Sequence, residues 1–174
     1  MIEFRELNPE EWKGFELSFT YKTDGYYSFM VQQWNFRLNF HPFEKCIQKN
    51  FKDMLFRDWL EKPAAYGAFF QQKLVGVVEY TLETWNNRLR ITNLLVWEEF
   101  RQQGIGSLLM KKVLDEAVKN KVRMAVLETQ TCNRGAIDFY IKAGFRPIGF
   151  DLFAYANDDP ENQEVRLEMG KKLV

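Results

Sequence analysis

Arg101-Gln102-Gln103-Gly104-Ile105-Gly106 is the stretch from which the fold is read. Before it, Arg90 to Trp97 is nearly continuous in apolar residues, the pattern of a central strand covered on both faces. After it, Ile105, Leu108, Leu109, Val113 and Ala117 recur close to i, i+4, i+8 and i+12, one buried stripe of a helix. A glycine turn between a strand and a helix leaves backbone N–H groups pointing outward, with the positive end of the helix dipole behind them. Such a turn is an anion site. Gly104 and Gly106 carry no side chain, so a diphosphate can approach the main chain, and Arg101 adds a charge-assisted contact. The spacing is not the dinucleotide pattern G-x-G-x-x-G, and it lacks the Lys-Ser/Thr of a nucleotide-binding loop. By itself it also fits a glycine-rich helix start with no ligand.

Outward from this turn the elements follow by pattern. Toward the C-terminus, Val122 to Thr129 reads as a strand, so residues 90 to 129 form a βαβ crossover that sets two strands parallel and adjacent. A helix from Arg134 to Ala143 is capped by Asn133 and closed by Gly144. Strands near Ile148 to Tyr155 and Val165 to Lys171 flank the polar loop Ala156 to Gln163. Toward the N-terminus, Ala65 to Phe70 and Leu74 to Leu82 form a hairpin across Gln71-Gln72-Lys73, and Asn86-Asn87 marks a turn. Ile2 to Arg5 is a short strand, and Asn8-Pro9 opens a helix predicted to run to about Phe19, followed by a turn at Tyr21 to Gly25. Gln33 to Phe40 alternates as a half-buried strand with Trp34, Phe36, Leu38 and Phe40 on one face. Pro42 is expected to begin a helix, ended by Lys62-Pro63, with Phe43, Ile47, Phe51, Leu55 and Trp59 four apart. The order predicts an α+β fold: a mixed, mainly antiparallel sheet of about seven strands with a central parallel pair, flanked by helices, in one domain over residues 1–174.

Composition narrows the function classes. The chain carries 24 basic and 24 acidic residues, so bulk charge draws it neither to nucleic acid nor to an anionic membrane. No apolar run nears the ~20 residues of a membrane span, and the acidic start lacks the features of a signal peptide; the expected location is the cytoplasm. Cys46 and Cys132 are expected to be free thiols. His41 is the only histidine, and no Cys/His cluster has metal spacing, so no metal is expected and His-based triads lose their base. Aromatic residues make up 16% of the chain, a supply for the core and for lining a pocket.

The run Ile91-Thr92-Asn93-Leu94-Leu95-Val96, then Phe100 to Gly106 and Leu108-Leu109, resembles motif A of the GNAT N-acetyltransferase superfamily. Asn133, Ala136, Phe139-Tyr140, Lys142 and Gly144-Phe145 resemble its motif B at the expected distance. Within the superfamily, Leu127-Glu128-Thr129-Gln130, Gly149, Asp151 and Tyr155 are similar to the streptothricin acetyltransferase subgroup. The resemblance implies a splayed parallel pair and acetyl-CoA as cofactor. Its pantetheine arm would lie along Leu94, Leu95 and Val96. Its pyrophosphate would sit on Gln102, Gln103, Gly104, Ile105, Gly106 and Ser107 with Arg101 alongside, and Asn133, Ala136 and Tyr140 would come from motif B.

Acetyl transfer needs a neutral amine, a polarised thioester carbonyl and a proton for the thiolate. Tyr140 is the candidate acid, its phenol near ~10 lying close to a thiol near ~8.5. The Val96 N–H is the candidate oxyanion donor. The family's base position falls on Arg90 and Thr92, neither a base, which leaves Glu79 and Glu83 on one face of the preceding strand, with Glu128 a third carboxylate. Tyr26, Tyr27, Trp34 and Trp85, with Glu128, are candidates for binding a cationic acceptor, with core packing as the alternative for the aromatics. Cys132 lacks a sequence-fixed activator for an acetyl-cysteine route. The expected activity is acetyl-CoA-dependent N-acetylation of a primary amine on a small cationic molecule, streptothricin-like or polyamine-like. Peptide N-acetylation and a non-catalytic CoA-binding module are the alternatives. Members of the family often dimerise, and a homodimer is expected on that ground alone.

Overall fold

The computed structural model describes residues 1–173. Strands β1 (Glu3–Glu6), β4 (Ala64–Phe70), β5 (Lys73–Glu83), β6 (Arg88–Val96), β7 (Met124–Gln130), β8 (Arg146–Asp151) and β9 (Arg166–Lys172) form a seven-stranded sheet in the order β1-β4-β5-β6-β7-β9-β8. It is mainly antiparallel, with β6 and β7 parallel. Strands β2 (Glu16–Gln32) and β3 (Asn35–Met54) pair as a separate two-stranded ribbon. Helices α1 (Pro9–Trp12), α2 (Ile105–Lys119) and α3 (Arg134–Lys142) complete the architecture. No helix among the described residues is long and apolar enough to cross a membrane.

Two compact units emerge: Met1–Phe19 with Lys52–Leu127 and the segment from Lys171, and Thr20–Phe51 with Glu128–Gly170. In the first, β1, β4, β5 and β6 pair antiparallel in that order, with β4 and β5 forming the expected hairpin. The β4–β5 hairpin turns on Gln71 and Gln72, both at positive φ (48° and 65°), which gives the turn the twist that a tight hairpin needs. Helix α2 packs on β4, β5 and β6 and buries Ile105, Leu109, Met110, Val113 and Ala117. Leu108 is 48% exposed, so the stripe runs through Met110 instead. A core cluster of Leu7, Leu17, Leu55, Phe56, Phe69, Val77 and Leu95 lies in this unit.

Four expectations for residues 9–59 are corrected. Asn8 does cap the first helix, its Oδ1 accepting from the Glu10 N–H at 3.0 Å, but the helix ends at Trp12. Gly14, at φ +77°, turns the chain away, and the β-favouring run after it becomes β2, which absorbs the turn expected at Tyr21 to Gly25. The helix expected from Pro42 is instead most of β3. A four-residue spacing is also two pleats of a strand, so Phe43, Ile47 and Phe51 share a strand face as well as a helix stripe, and Leu55 follows just past the strand's end. The expected apolar face of residues 34–40 is largely solvent-facing, with Trp34 90% exposed at the tip of the ribbon. The strand expected at Ile148 to Tyr155 ends at Asp151, whose carboxylate accepts from the Phe153 N–H at 3.0 Å and closes a turn.

Candidate active site

In the first unit, the register of β6 with β7 begins at Arg88↔Met124 and ends at Ile91↔Leu127, while β6 continues to Val96. Trp97 donates its N–H to the Val75 carbonyl of β5 at 3.0 Å. Because successive residues of a strand send their main-chain groups to opposite sides, those of Val96 and Leu94 point away from β5, along the stretch where pairing with β7 has ceased. This is an open strand edge. The Arg101 Nε donates to the Val96 carbonyl at 2.9 Å and so ties the turn to the end of the strand.

The turn itself is shaped for an anion. Gln102 stands at φ 61° and Gly104 at φ 81°, and an added Cβ on Gly104 would meet nothing within 4 Å. Leu108 is the first N–H to close on a carbonyl at the helix start, that of Gly104 at 3.1 Å, and no side chain caps the 15-residue α2. The N–H groups of Ile105, Gly106 and Ser107 therefore face outward along the helix axis. Gln103 is held by its Nε2 to the Glu99 carbonyl at 3.1 Å, and Leu95 is buried while Leu94 and Val96 are half-buried.

The two carboxylates of β5 have different surroundings. Glu79 is fully buried: its Oε1 accepts the Phe56 N–H at 2.6 Å, and its Oε2 accepts the Thr92 hydroxyl at 2.6 Å and the Asn93 amide at 2.9 Å. That geometry seals Glu79 from solvent, against the expectation that it could serve as the base. Glu83 accepts from Arg88 Nε at 2.9 Å, from Arg90 Nε and from Asn86 Nδ2 at 3.2 Å. Burial pushes its carboxyl up, but Arg90, Asn86 and Arg88 outweigh that and hold it below the usual range. Trp85 lies in the short turn after β5, 82% exposed, with the Arg88 guanidinium 5.9 Å from its ring.

In the second unit, Asn133 Oδ1 accepts the Ala136 N–H at 3.3 Å and caps α3, and Ala136 is half-buried. Tyr140 lies on this helix, half-buried, its ring 5.5 Å from Phe139 and 6.2 Å from Phe145. Burial pushes its phenol up to about 12, so it keeps its proton throughout the physiological range. Glu128 is exposed and meets Arg166 at 3.7 Å and the Tyr155 hydroxyl at 3.5 Å. Tyr26 stacks on His41 (5.2 Å) beside Phe43, whereas Tyr27 packs edge-on to Phe40 (5.4 Å). Neighbours on a strand point to opposite faces, so Tyr26 and Tyr27 belong to no common wall, and Trp34 stands apart at the ribbon tip. Cys46 and Cys132 are both free; burial pushes the Cys132 thiol up, which disfavours the thiolate a nucleophile needs.

The sequence reading overlooked the partners of Glu79, yet they left a signal. Glu79 interrupts the apolar run Val75 to Tyr80, and Asn93 occupies the alternating buried slot between Ile91 and Leu95. Two polar residues in buried slots of adjacent strands imply each other.

An antiparallel sheet with one parallel pair, whose central strand opens at the end that meets a glycine turn and a helix, defines the acetyltransferase (GNAT) class, and this chain belongs to the Acetyltransferase (GNAT) family, matched over residues 28–145. It is similar to the streptothricin acetyltransferase of Escherichia coli, 38% identical over 95 residues that cover 55% of this chain and 54% of that one. The chain spans about half the length of the curated relatives it matches. Its fold is similar to that of nourseothricin acetyltransferase (TM-score 0.79, 24% identity, 99% of both chains). It is also similar to that of a streptothricin acetyltransferase-type protein of Bacillus anthracis str. Ames in complex with acetyl coenzyme A (TM-score 0.76, 20% identity, 100% of this chain and 98% of that one).

Proposed function

We propose that the chain, acting as a single domain, is an acetyl-CoA-dependent N-acetyltransferase that acetylates a primary amine of a small cationic molecule of the streptothricin type. The observation that carries this reading is the open N-terminus of α2 directly after a strand whose outer edge is unpaired from Thr92 to Val96. An anion site and a free strand edge in succession suit a ligand with a diphosphate joined to an extended amide chain, which is the chemistry of coenzyme A.

In this reading the diphosphate lies on the N–H groups of Gln102 to Ser107 with Arg101 beside it. The pantetheine arm runs along Leu94, Leu95 and Val96 and pairs with the outward main-chain groups of Leu94 and Val96, and the resemblance adds Asn133 and Ala136. The amine nitrogen attacks the thioester carbonyl, the C–N bond forms, and the C–S bond breaks. The Val96 N–H receives the oxyanion in between. The amine proton leaves to solvent, directly or by way of Glu128, since Glu79 is sealed and Glu83 is engaged by two arginines. The family resemblance assigns Tyr140 to the departing thiolate. With its phenol at about 12, against ~8.5 for a free thiol, transfer of the proton is uphill by roughly 3–4 units. Tyr140 therefore stabilises the thiolate by donating a hydrogen bond, and the proton that completes the thiol comes from solvent.

Acceptor recognition is assigned to Glu128 and to aromatic residues, with Tyr26, Tyr27 and Trp34 of the ribbon and Trp85 of the turn after β5 varied one at a time. A cytoplasmic location is in keeping with acetyl-CoA as donor, and the family resemblance implies a homodimer, which sedimentation velocity tests. Thiol release from acetyl-CoA across a panel containing streptothricin, polyamines and N-terminal peptides tests the activity. Turnover confined to small cationic amines is the expected result. Acetyl-CoA binding without turnover on any amine would overturn the enzymatic reading.

A further inference from the structure

Glu79 is a carboxylate with no solvent exposure, the only acidic side chain in the fully buried stretch from Val75 to Tyr80. Burying such a group is tolerated when its lone pairs are filled, and three donors fill them here: the Phe56 N–H (2.6 Å), the Thr92 hydroxyl (2.6 Å) and the Asn93 amide (2.9 Å). Two of the donors are consecutive residues of β6. In an unbroken strand Thr92 and Asn93 would point to opposite faces. The register explains how both reach one carboxylate. Glu79 pairs with Asn93 and Tyr80 pairs with Ile91, so Thr92 is an extra residue on β6, a β-bulge. The third donor, Phe56, sits at φ 55°, a conformation that a bulky residue adopts only when its surroundings hold it.

We propose that Glu79 is a positioning residue of the donor strand: it clamps the Thr92–Asn93 bulge and thereby sets the main chain of Leu94 to Val96 for the pantetheine arm. The inference rests on the donor-site reading above and deepens it. The bulge lies immediately before the residues that receive the arm, and parallel pairing with β7 has already ended at Ile91. Beyond that point β6 is guided on its other side by β5, and there the Glu79 carboxylate adds two side-chain hydrogen bonds between the strands to their main-chain pairing. Glu79 touches neither donor nor acceptor. It acts through Thr92 and Asn93.

The test measures acetyl-CoA binding by calorimetry and initial rates across pH for the wild type, Glu79→Gln, Thr92→Val and Thr92→Ser. Glu79→Gln places an NH2 against N–H donors and is expected to weaken acetyl-CoA binding about tenfold. KM for acetyl-CoA should rise in step while kcat falls by no more than about threefold and the acid limb of the kcat profile stays in place. Thr92→Val should shift affinity the same way, and Thr92→Ser, which keeps the hydroxyl, should restore it. If Glu79→Gln fails to fold, the Thr92 pair carries the test. Unchanged acetyl-CoA affinity in the Glu79 and Thr92 variants overturns the proposal. Unchanged affinity with loss of the acid limb makes Glu79 a base instead. A wild-type protein that binds no acetyl-CoA overturns the donor-site reading, and this proposal with it.

Discussion

Gly104→Ala separates what the turn does for the fold from what it does for the ligand. Gly104 sits at φ +81°, and a Cβ built there meets no heavy atom within 4 Å, so the substitution creates no clash within the protein. The left-handed conformation costs an alanine about 1–2 kcal/mol, and the loss of unfolded-state freedom returns about 0.4–1 kcal/mol. The net loss is then about 1 kcal/mol, a fall of roughly 2–4 °C in Tm for a chain of this size. Binding should suffer more. The open space at Gly104 is where the diphosphate must approach the N–H groups of α2, and losing one charge-assisted hydrogen bond weakens affinity about 10- to 100-fold. Gly14→Ala is the matched control, because Gly14 has nearly the same φ (+77°) and the same empty surroundings, at the end of α1. Scanning fluorimetry should show similar Tm losses in both variants, and calorimetry should show weakened acetyl-CoA binding in Gly104→Ala alone. Wild-type affinity in Gly104→Ala, or equal loss in both, would refute the assignment of the turn to the diphosphate.

Tyr140→Phe retains the ring that packs on Phe139 and Phe145, so acetyl-CoA affinity should stay within about twofold while kcat falls about 10²-fold, as expected for loss of one hydrogen-bond donor to a developing charge; equal losses in binding and turnover would demote Tyr140 to packing. Burial raises Tyr21, Tyr66, Tyr80, Tyr140 and Tyr155, with Tyr66 and Tyr140 reaching about 12. From pH ~10 upward the folded state holds protons that the unfolded state has released, so urea-unfolding stability should fall with rising pH in that window and stay flat below it. Glu83 is held below the usual carboxylate range, so its contribution is present above about pH 4 and is lost as pH falls further. Glu83→Gln should cost about 1–3 kcal/mol at pH 7 and less at pH 3, read from urea midpoints at the two pH values.

The central crossover was legible because its signals are local. Arg90 to Trp97, the glycine turn and the helix stripe each declare a period or a cap, and the parallel pairing of β6 with β7 follows from chain length and handedness. The same holds for Asn133 and Gly144 at the ends of α3, and for Gln71 and Gln72 in the hairpin. The stretch from Pro42 to Trp59 was misread because spacings of four satisfy both a helix and a strand. Local sequence does not choose between them; pairing with a second strand does, and that partner, β2, was itself taken for a helix and a turn.

For the site, the sequence by itself marked the turn proposed to meet a diphosphate, because the donors there are main-chain groups of one short turn whose conformation is written in Gln102 and Gly104. Only the tertiary structure decided the fates of the carboxylates. Glu79 and Glu83 look alike along β5, yet one is sealed beneath Thr92, Asn93 and Phe56 and the other is gripped by Arg88 and Arg90. The difference arises from a register shift of one residue between two strands, and from a loop residue 23 positions away in sequence. Burial and hydrogen bonding, which govern whether a carboxylate can take a proton, are properties of that packing and not of the residue.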